Sequence, residues 1–258
     1  MKSTHKQPTD YDNLYKNVWG LNYNIQPLRA LRYHFVKKAF RELANYYQVK
    51  NALDVGCGIG EVIKLILESW KDAEATGFDI SEEAIALARK NCPGINFFVS
   101  DMESLELEAK YDLITAIDVI EHIQDDKKAL QKINNLLTEN GFLILSLPHL
   151  RQYWSKNDED GGHYRRYSKR DIVEKLHASG FSIIKTRSYG FPFPVIYHYI
   201  KNWLNKSKRF HENRLVRNTS FLTRMISSTI KFIFLFSDVD IGLGVHLLVV
   251  AKKDNESK

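Results

Sequence analysis

Short apolar runs alternate along this chain with segments of helical periodicity. Residues 51–55, 75–79, 95–100, 111–116, 142–147, 181–188 and 245–252 each read as a strand, apolar and bounded by turn residues. Residues 61–70 have helical spacing, with Val62, Ile63, Ile66 and Leu67 on one face. Residues 26–47 read as a longer helix with Pro27 near its start and Leu28, Leu31, Phe35 and Phe40 as a candidate buried stripe. Residues 169–179 read as a helix ended by Gly180. Asn140-Gly141 predicts a turn before the fifth strand, and 148–168 a long polar loop. Alternating strands and helices predict an α/β fold, doubly wound around a mostly parallel seven-stranded sheet.

The last two strands are separated by about 55 residues. Within them, Val195, Ile196, Tyr199, Ile200, Trp203 and Leu204 share one helical face. Phe221, Leu222, Met225, Ile226, Ile230, Ile233 and Phe234 form a second face. Neither is an apolar run of about 20 residues, so neither is expected to span a bilayer. Amphipathic helices with Lys and Arg suit a membrane interface. A helical cap on the sheet, or a contact between two copies, reads equally well. The expected organisation is a helical lid at 1–50, a ligand-binding core at 51–190, the basic helical insertion at 191–243, and the last strand and tail at 244–258.

At 258 residues and 44% hydrophobic, the chain is long enough for one large core with additions. Its net charge is +6 and its pI about 9.1. The excess concentrates at Lys201, Lys206, Lys208, Arg209, Arg214, Arg217 and Arg224, opposed only by Glu212. This favours an anionic partner or surface, and a solvated helical face is the alternative. Cys57 and Cys92 make no disulfide framework, which predicts a reducing, cytoplasmic setting. Residues 1–13 are polar, so no signal peptide is evident.

The candidate chemistry starts at Leu53-Asp54-Val55-Gly56-Cys57-Gly58-Ile59-Gly60-Glu61. A strand, a glycine turn and a helix follow in order, which is the nucleotide-binding corner of a doubly wound sheet. The dinucleotide pattern G-x-G-x-x-G requires a third glycine at 61, where this chain has glutamate. The alternating Gly56, Gly58 and Gly60, preceded by Asp54, resemble motif I of class I S-adenosylmethionine (SAM)-dependent methyltransferases. Asp54 suits a cofactor with a cationic amino-acid end. Asp79 ends the second strand 25 residues after Asp54, where a carboxylate accepts both ribose hydroxyls. Its other reading, a helix cap, is better filled by Ser81, with Glu82 and Glu83 in the first turn.

The resemblance covers roughly residues 20–190. It implies that Asp101 binds the adenine amino group and that Met102 packs on the ring. The implied cofactor set is Arg29, Asp54, Gly56, Cys57, Gly58, Asp79, Ile80, Asp101, Met102 and Asp118. Asn24-Ile25-Gln26-Pro27-Leu28-Arg29 is similar to the Ile-Asn-Pro-Leu-Arg of the ubiquinone-biosynthesis O-methyltransferases, which gives Arg29 the SAM carboxylate. Tyr15 and Trp19 are expected to close over cofactor or acceptor, and packing on the sheet edge reads equally well for them.

The fourth strand leads into Asp118-Val119-Ile120-Glu121-His122. Spacing of i, i+3, i+4 predicts Asp118, Glu121 and His122 on one face of a helix start. Asp-x-x-Glu-His is similar to the Glu-x-x-Glu-His of the ubiquinone enzymes and of small-RNA 3′-end methyltransferases. In those families the cluster can hold a divalent cation. His163, after Gly161-Gly162, resembles the histidine that completes it. Asp118, Glu121, His122 and His163 are therefore the candidate ligands for Mg²⁺ or another divalent cation. A hydrogen-bonded turn with His122 as a base or orienting group is the alternative. Glu121, His122 and His163 are the candidate catalytic groups, and Arg165 or Arg166 a candidate clamp for an anionic acceptor.

Together these imply a SAM-dependent methyltransferase, acting on a hydroxyl of a small or lipid-linked acceptor at an anionic membrane surface. RNA 2′-O-methylation ranks lower, because no separate RNA-binding module is present. A membrane-docked SAM-binding protein without turnover is the non-enzymatic alternative. A short-chain dehydrogenase is disfavoured: Tyr46 and Lys50, in Tyr-x-x-x-Lys spacing, precede the glycine loop.

Overall fold

The computed structural model describes residues 10–16, 27–206, 229–230, 232–234 and 240–254. A short helix α1 (Tyr11–Leu14) and the long α2 (Pro27–Ala44) precede the sheet. Then follow β1 (Asn51–Val55), α3 (Glu61–Ser69), β2 (Glu74–Asp79), α4 (Glu82–Asn91), β3 (Asn96–Val99) and β4 (Tyr111–Ile117). After β4 come α5 (Asp126–Leu136), β5 (Leu137–Pro148), α6 (Lys156–Asp160), α7 (Lys169–Ala178) and β6 (Phe181–Tyr189). The chain closes with α8 (Phe193–Lys206) and β7 (His246–Lys253).

The strands form one sheet in the order β3-β2-β1-β4-β5-β7-β6. β1 to β5 are parallel, and β7 runs antiparallel between β5 and β6. Side chains alternate across each strand, and both sheet faces are covered, so the central strands are apolar throughout. In β5, Phe142 and Ile144 join the cluster beneath α2, α3 and α4, with Phe35, Phe40, Ile63 and Ile85. Leu143, Leu145 and Leu147 join the opposite cluster, with Leu130, Ile133, Ile172 and Leu176 of α5 and α7. Each such side chain stabilises the fold by roughly 1.5–3 kcal/mol relative to exposure.

Strand order reverses between β1 and β4. The crevice above their carboxyl ends is the switch point where ligands bind in such sheets. Gly77 allows the glycine turn to pack on β2, since a Cβ there would lie 2.9 Å from the Cβ of Cys57.

The structure departs from the sequence reading at three places. Asn140-Gly141 makes no turn before β5 but lies inside it: Tyr111 pairs with Leu137 and Leu113 with Phe142, so the pair forms a bulge. The 148–168 loop is partly helical. Arg151–Tyr153 is a 3₁₀ turn, and α6 starts at Ser155 in a reciprocal capping box with Asp158. The segment after β4 is a 3₁₀ turn, Ile120–His122, and the α-helix starts only at Asp126. Trp19, Asn24, Ile25, Gln26, most of the basic stretch and most of the second amphipathic face lie outside the described residues.

Candidate functional site

The glycine turn leaves β1 with Gly56 at φ 65° and Gly58 at φ 52°, a region that L side chains rarely adopt. The Gly58 N–H donates to Oδ2 of Asp79 at 2.9 Å, and Ser81 N–H to its Oδ1 at 3.0 Å. Asp79 is thus held by the turn it serves. Ser81 caps α4 by accepting from Ala84 N–H. Ile80 beside it is half exposed, at 49%. Asp101 is exposed and accepts from Glu103 N–H, and Met102 is buried.

Asp54 is 1% exposed. Thr115 Oγ1 donates to its Oδ1 at 2.6 Å, and its Oδ2 has no hydrogen-bond partner among the described residues. An orphaned buried carboxylate oxygen is costly unless a ligand completes it. Burial, with a smaller contribution from Asp79, pushes Asp54 up to about 7, against the lowering effect of Thr115. The residues present fit SAM: an aminoacyl cation suits Asp54, a ribose diol suits Asp79, and the glycine turn admits close approach.

This shift has two expected consequences. The folded pKa lies above the unfolded one, so Asp54 adds stability below about pH 4 that is lost as pH rises towards 7. A bound cation favours the ionised form, so SAM affinity rises with pH through about 7 and levels off above it. Titration calorimetry between pH 5.5 and 8.5 checks the sign. Asp54→Asn should flatten the profile while stabilising the apo protein at neutral pH, and an unchanged profile would remove Asp54 from the cationic end.

The lid lies over this turn. Asp12 accepts from Ser81 Oγ at 2.5 Å and from Glu83 N–H at 3.1 Å, so it adds to the α4 cap. Tyr15 places its Oη 2.8 Å from where a Gly58 Cβ would stand. Burial, then Asp79, pushes the Tyr15 phenol up, and the nearby Arg29 opposes them.

At the end of β4, Asp118 takes φ 56° and its N–H donates to Ser146 O at 2.8 Å. This turns its carboxylate towards α2. Oδ2 pairs with Arg32, and Oδ1 accepts from Ser146 Oγ at 3.3 Å. His246 Nε2 lies 3.2 Å from Arg32 Nη2. Burial, then Arg32, holds His246 well below the ordinary imidazole range, so it is neutral and accepts that bond. Asp118 was expected on one helical face with Glu121 and His122; the backbone turns left-handed instead of starting a helix, so its carboxylate pairs with Arg32 while staying near enough to Glu121 to act on it.

Glu121, His122 and His163 do come together. One ligand atom from each lies within 4.8 Å of the others. Glu121 is fully buried, and neither carboxylate oxygen has a hydrogen-bond partner among the described residues. Burial, then Asp118, raises its pKa well above the usual carboxylate value, which favours its neutral form. The His122 and His163 rings meet edge to face, with centroids 4.6 Å apart. His122 Nδ1 lies 3.1 Å from Tyr11 Oη.

His163 Nδ1 lies 3.0 Å from Oδ1 of Asp158. Asp158 is 1% exposed and also accepts from Ser155 N–H and Oγ, each at 2.8 Å, and from Arg166 Nε and Nη2. These bonds outweigh burial and hold its carboxyl well below the usual range. An ionised Asp158 requires His163 to donate through Nδ1, which leaves the lone pair of the neutral ring on Nε2.

Arg165 and Arg166, of which one was expected to clamp the acceptor and the other to be structural, both pair with carboxylates of the protein. Arg166 holds Asp158 and reaches His149 O, while Arg165 pairs with Asp126 and donates to Gln124 O. Tyr11, Arg32, Asp158 and His246 were not singled out from sequence. Two of them left a signal. Arg32 falls within the buried stripe of its helix, and Ser155-x-x-Asp158 has capping-box spacing.

Residues 28–186 match the family model described as "Methyltransferase domain". A malonyl-[acyl-carrier protein] O-methyltransferase of Acetivibrio thermocellus is 36% identical over 96 residues, covering 36% of this chain and 34% of that protein. The mitochondrial ubiquinone biosynthesis O-methyltransferase of Schizosaccharomyces pombe is 28% identical over 148 residues, 53% of this chain and 52% of that one. The chain thus spans about a third to a half of the length of these relatives. A Haemonchus contortus phosphoethanolamine N-methyltransferase 2 structure, in complex with S-adenosyl-L-methionine, superposes with TM-score 0.61 at 16% identity, over 96% of this chain and 61% of that one. With the matched model spanning more than half of its length, and with a glycine turn and strand-end carboxylates that fit the cofactor, the chain belongs to the class I SAM-dependent methyltransferase family.

Proposed function

We propose that this protein methylates an oxygen of a small or lipid-linked acceptor, with His163 as the base. The observation that carries this is the Asp158–His163 pair beside Glu121 and His122. A methyl transfer from a sulfonium needs an aligned nucleophile and, for a hydroxyl, removal of its proton. Bound SAM supplies the electrophilic methyl group. Asp79 and Asp54 would hold its ribose and its aminoacyl group, with α1 lying over the turn. Asp158 sets the His163 tautomer, so that Nε2 takes the acceptor proton. The acceptor oxygen, with its proton passed to His163 Nε2, would be the nucleophile for the methyl group, and S-adenosylhomocysteine would be the leaving group.

The clustering of Glu121, His122 and His163 favours a second reading. These residues would hold a divalent cation, which would lower the pKa of the acceptor hydroxyl. Glu121→Gln separates the two. It preserves the shape of a neutral carboxylic acid, so transfer stays within about threefold of wild type in the base reading. In the cation reading it loses a ligand, and transfer falls by roughly 10- to 100-fold and becomes sensitive to chelators.

An exposed apolar face on α8 supports a membrane setting for the acceptor. Phe193, Ile196, Tyr199 and Ile200 are exposed on it, ahead of the basic stretch in sequence. No helix among the described residues is long and apolar enough to cross a membrane. An amphipathic helix with adjacent cations suits the surface of an anionic bilayer. Paired Ile196→Glu and Ile200→Glu substitutions should cut sedimentation with phosphatidylglycerol vesicles by roughly tenfold, and leave SAM affinity alone. Methyl-labelled SAM incubated with membrane and aqueous fractions tests the acceptor class. Label in lipid-extractable material supports a lipid-linked acceptor, and label in RNA replaces that reading.

A further inference from the structure

We propose that Tyr11 is a positioning residue that fixes the tautomer of His122, and that docking of α1 on the SAM turn delivers it. This rests on the methyltransferase reading and deepens it. The phenol of Tyr11 lies 3.1 Å from His122 Nδ1, and the two rings meet edge to face at 5.8 Å. A phenol is a stronger donor than acceptor, and an imidazole nitrogen without its proton is a strong acceptor. Tyr11 Oη therefore donates to Nδ1, and the His122 proton sits on Nε2.

The two imidazoles then divide the work. His163 donates an Nδ1–H hydrogen bond to Asp158, so its Nε2 is the nitrogen that takes up a proton. His122 accepts at Nδ1 from Tyr11, so its Nε2–H donates. The two neighbouring rings thus carry opposite tautomers, His163 with an accepting Nε2 and His122 with a donating one.

Tyr11 is brought to His122 by a four-residue helix with no buried side chain of its own. What holds that helix is the cofactor side of the site. Asp12, the next residue, binds Ser81 Oγ and Glu83 N–H, two and four residues after Asp79. Tyr15, at the other end of the helix, lies on Gly58, whose N–H holds Asp79. Polar contacts of α1 thus span the ribose-binding turn and the base pair of imidazoles. The acceptor site is complete when the cofactor turn is covered.

The test uses full-length protein labelled with ¹⁵N-histidine, saturated with S-adenosylhomocysteine, and read by long-range ¹H–¹⁵N correlation. Wild type should show His122 protonated at Nε2, with Nδ1 shifted by an accepted hydrogen bond. Tyr11→Phe keeps the ring and should move the Nδ1 resonance towards that of an unbonded pyridine-type nitrogen, leaving His163 in place. Asp12→Ala, which removes both bonds that dock α1 on the turn, should produce the same His122 change and weaken S-adenosylhomocysteine binding by roughly tenfold. His122 protonated at Nδ1 in wild type, or a Nδ1 resonance unmoved by Tyr11→Phe, would overturn the proposal. Calorimetry on the same samples reports the cofactor site independently. Loss of S-adenosylhomocysteine binding by wild type would instead refute the methyltransferase reading beneath it.

Discussion

Asp79→Ala should lower SAM affinity by roughly 100- to 1,000-fold, since each hydrogen bond to a charged group contributes about 1.5–3 kcal/mol and two ribose hydroxyls are at stake. The carboxylate is 7% exposed and already oriented, because Gly58 N–H and Ser81 N–H point at its two oxygens. Those backbone bonds give the substitution a structural cost as well. Alanine leaves Gly58 N–H and Ser81 N–H unsatisfied at a buried turn, which alone costs about 1–3 kcal/mol for each. Asp79→Asn separates the effects. Its amide oxygen can still accept one backbone bond, but it offers a single weak acceptor to the diol. Its SAM affinity should fall by roughly 10- to 100-fold with less loss of Tm than the alanine variant shows. Calorimetry with SAM beside thermal melts of the apo proteins checks both, and unchanged affinity in Asp79→Asn would remove Asp79 from ribose binding.

His163→Ala should reduce methyl transfer by about 100- to 10,000-fold, the range that a positioned general base contributes. SAM affinity should change little, because Asp79 is held by Gly58 N–H and Ser81 N–H and Asp54 by Thr115 Oγ1. Asp158→Asn should follow it with a smaller loss. The amide cannot hold the Nδ1–H tautomer as an ionised carboxylate does, but the ring itself is still present. Asp158 also anchors Arg166 and the α6 cap. Asp158→Asn must therefore be read beside a melt, and His163→Ala is the cleaner probe. Arg166→Ala is expected to cost mainly stability, because it leaves Asp158 buried without its cation.

Much of this site was legible in the chain. The glycine turn, Asp54 and Asp79 announced themselves because local chemistry sets them: a strand must end, a backbone must take positive φ, and a carboxylate must stand beside it. Ser81 as a cap was legible for the same reason. The region after β4 was not. Periodicity placed Asp118, Glu121 and His122 on one helical face, yet that face never forms. A hydrogen bond from Asp118 N–H to Ser146 O, made across the sheet, bends the backbone left-handed there. Arg32, more than eighty residues earlier in sequence, captures the carboxylate. No local pattern reports a partner so distant.

Arg165 and Arg166 make the same point from the other side. A pair of arginines after a glycine-rich loop reads as a ligand clamp, and both guanidiniums are taken up by Asp126 and Asp158. What the sequence did preserve was the histidine between them and α6. The carboxylate that tunes it became visible only when the capping box folded Asp158 back onto His163.

The central claim is that the SAM turn and the Asp158–His163 pair form one methyl-transfer site, and a labelled-methyl assay tests it most directly. Wild type and His163→Ala, matched for SAM affinity by calorimetry, are incubated with methyl-labelled SAM and fractionated membrane and aqueous extracts. The account expects wild type to label an oxygen of an acceptor in one fraction, and His163→Ala to lose that label while still binding SAM. Binding of SAM by wild type with no label in any fraction, or transfer by His163→Ala at the wild-type rate, would contradict it.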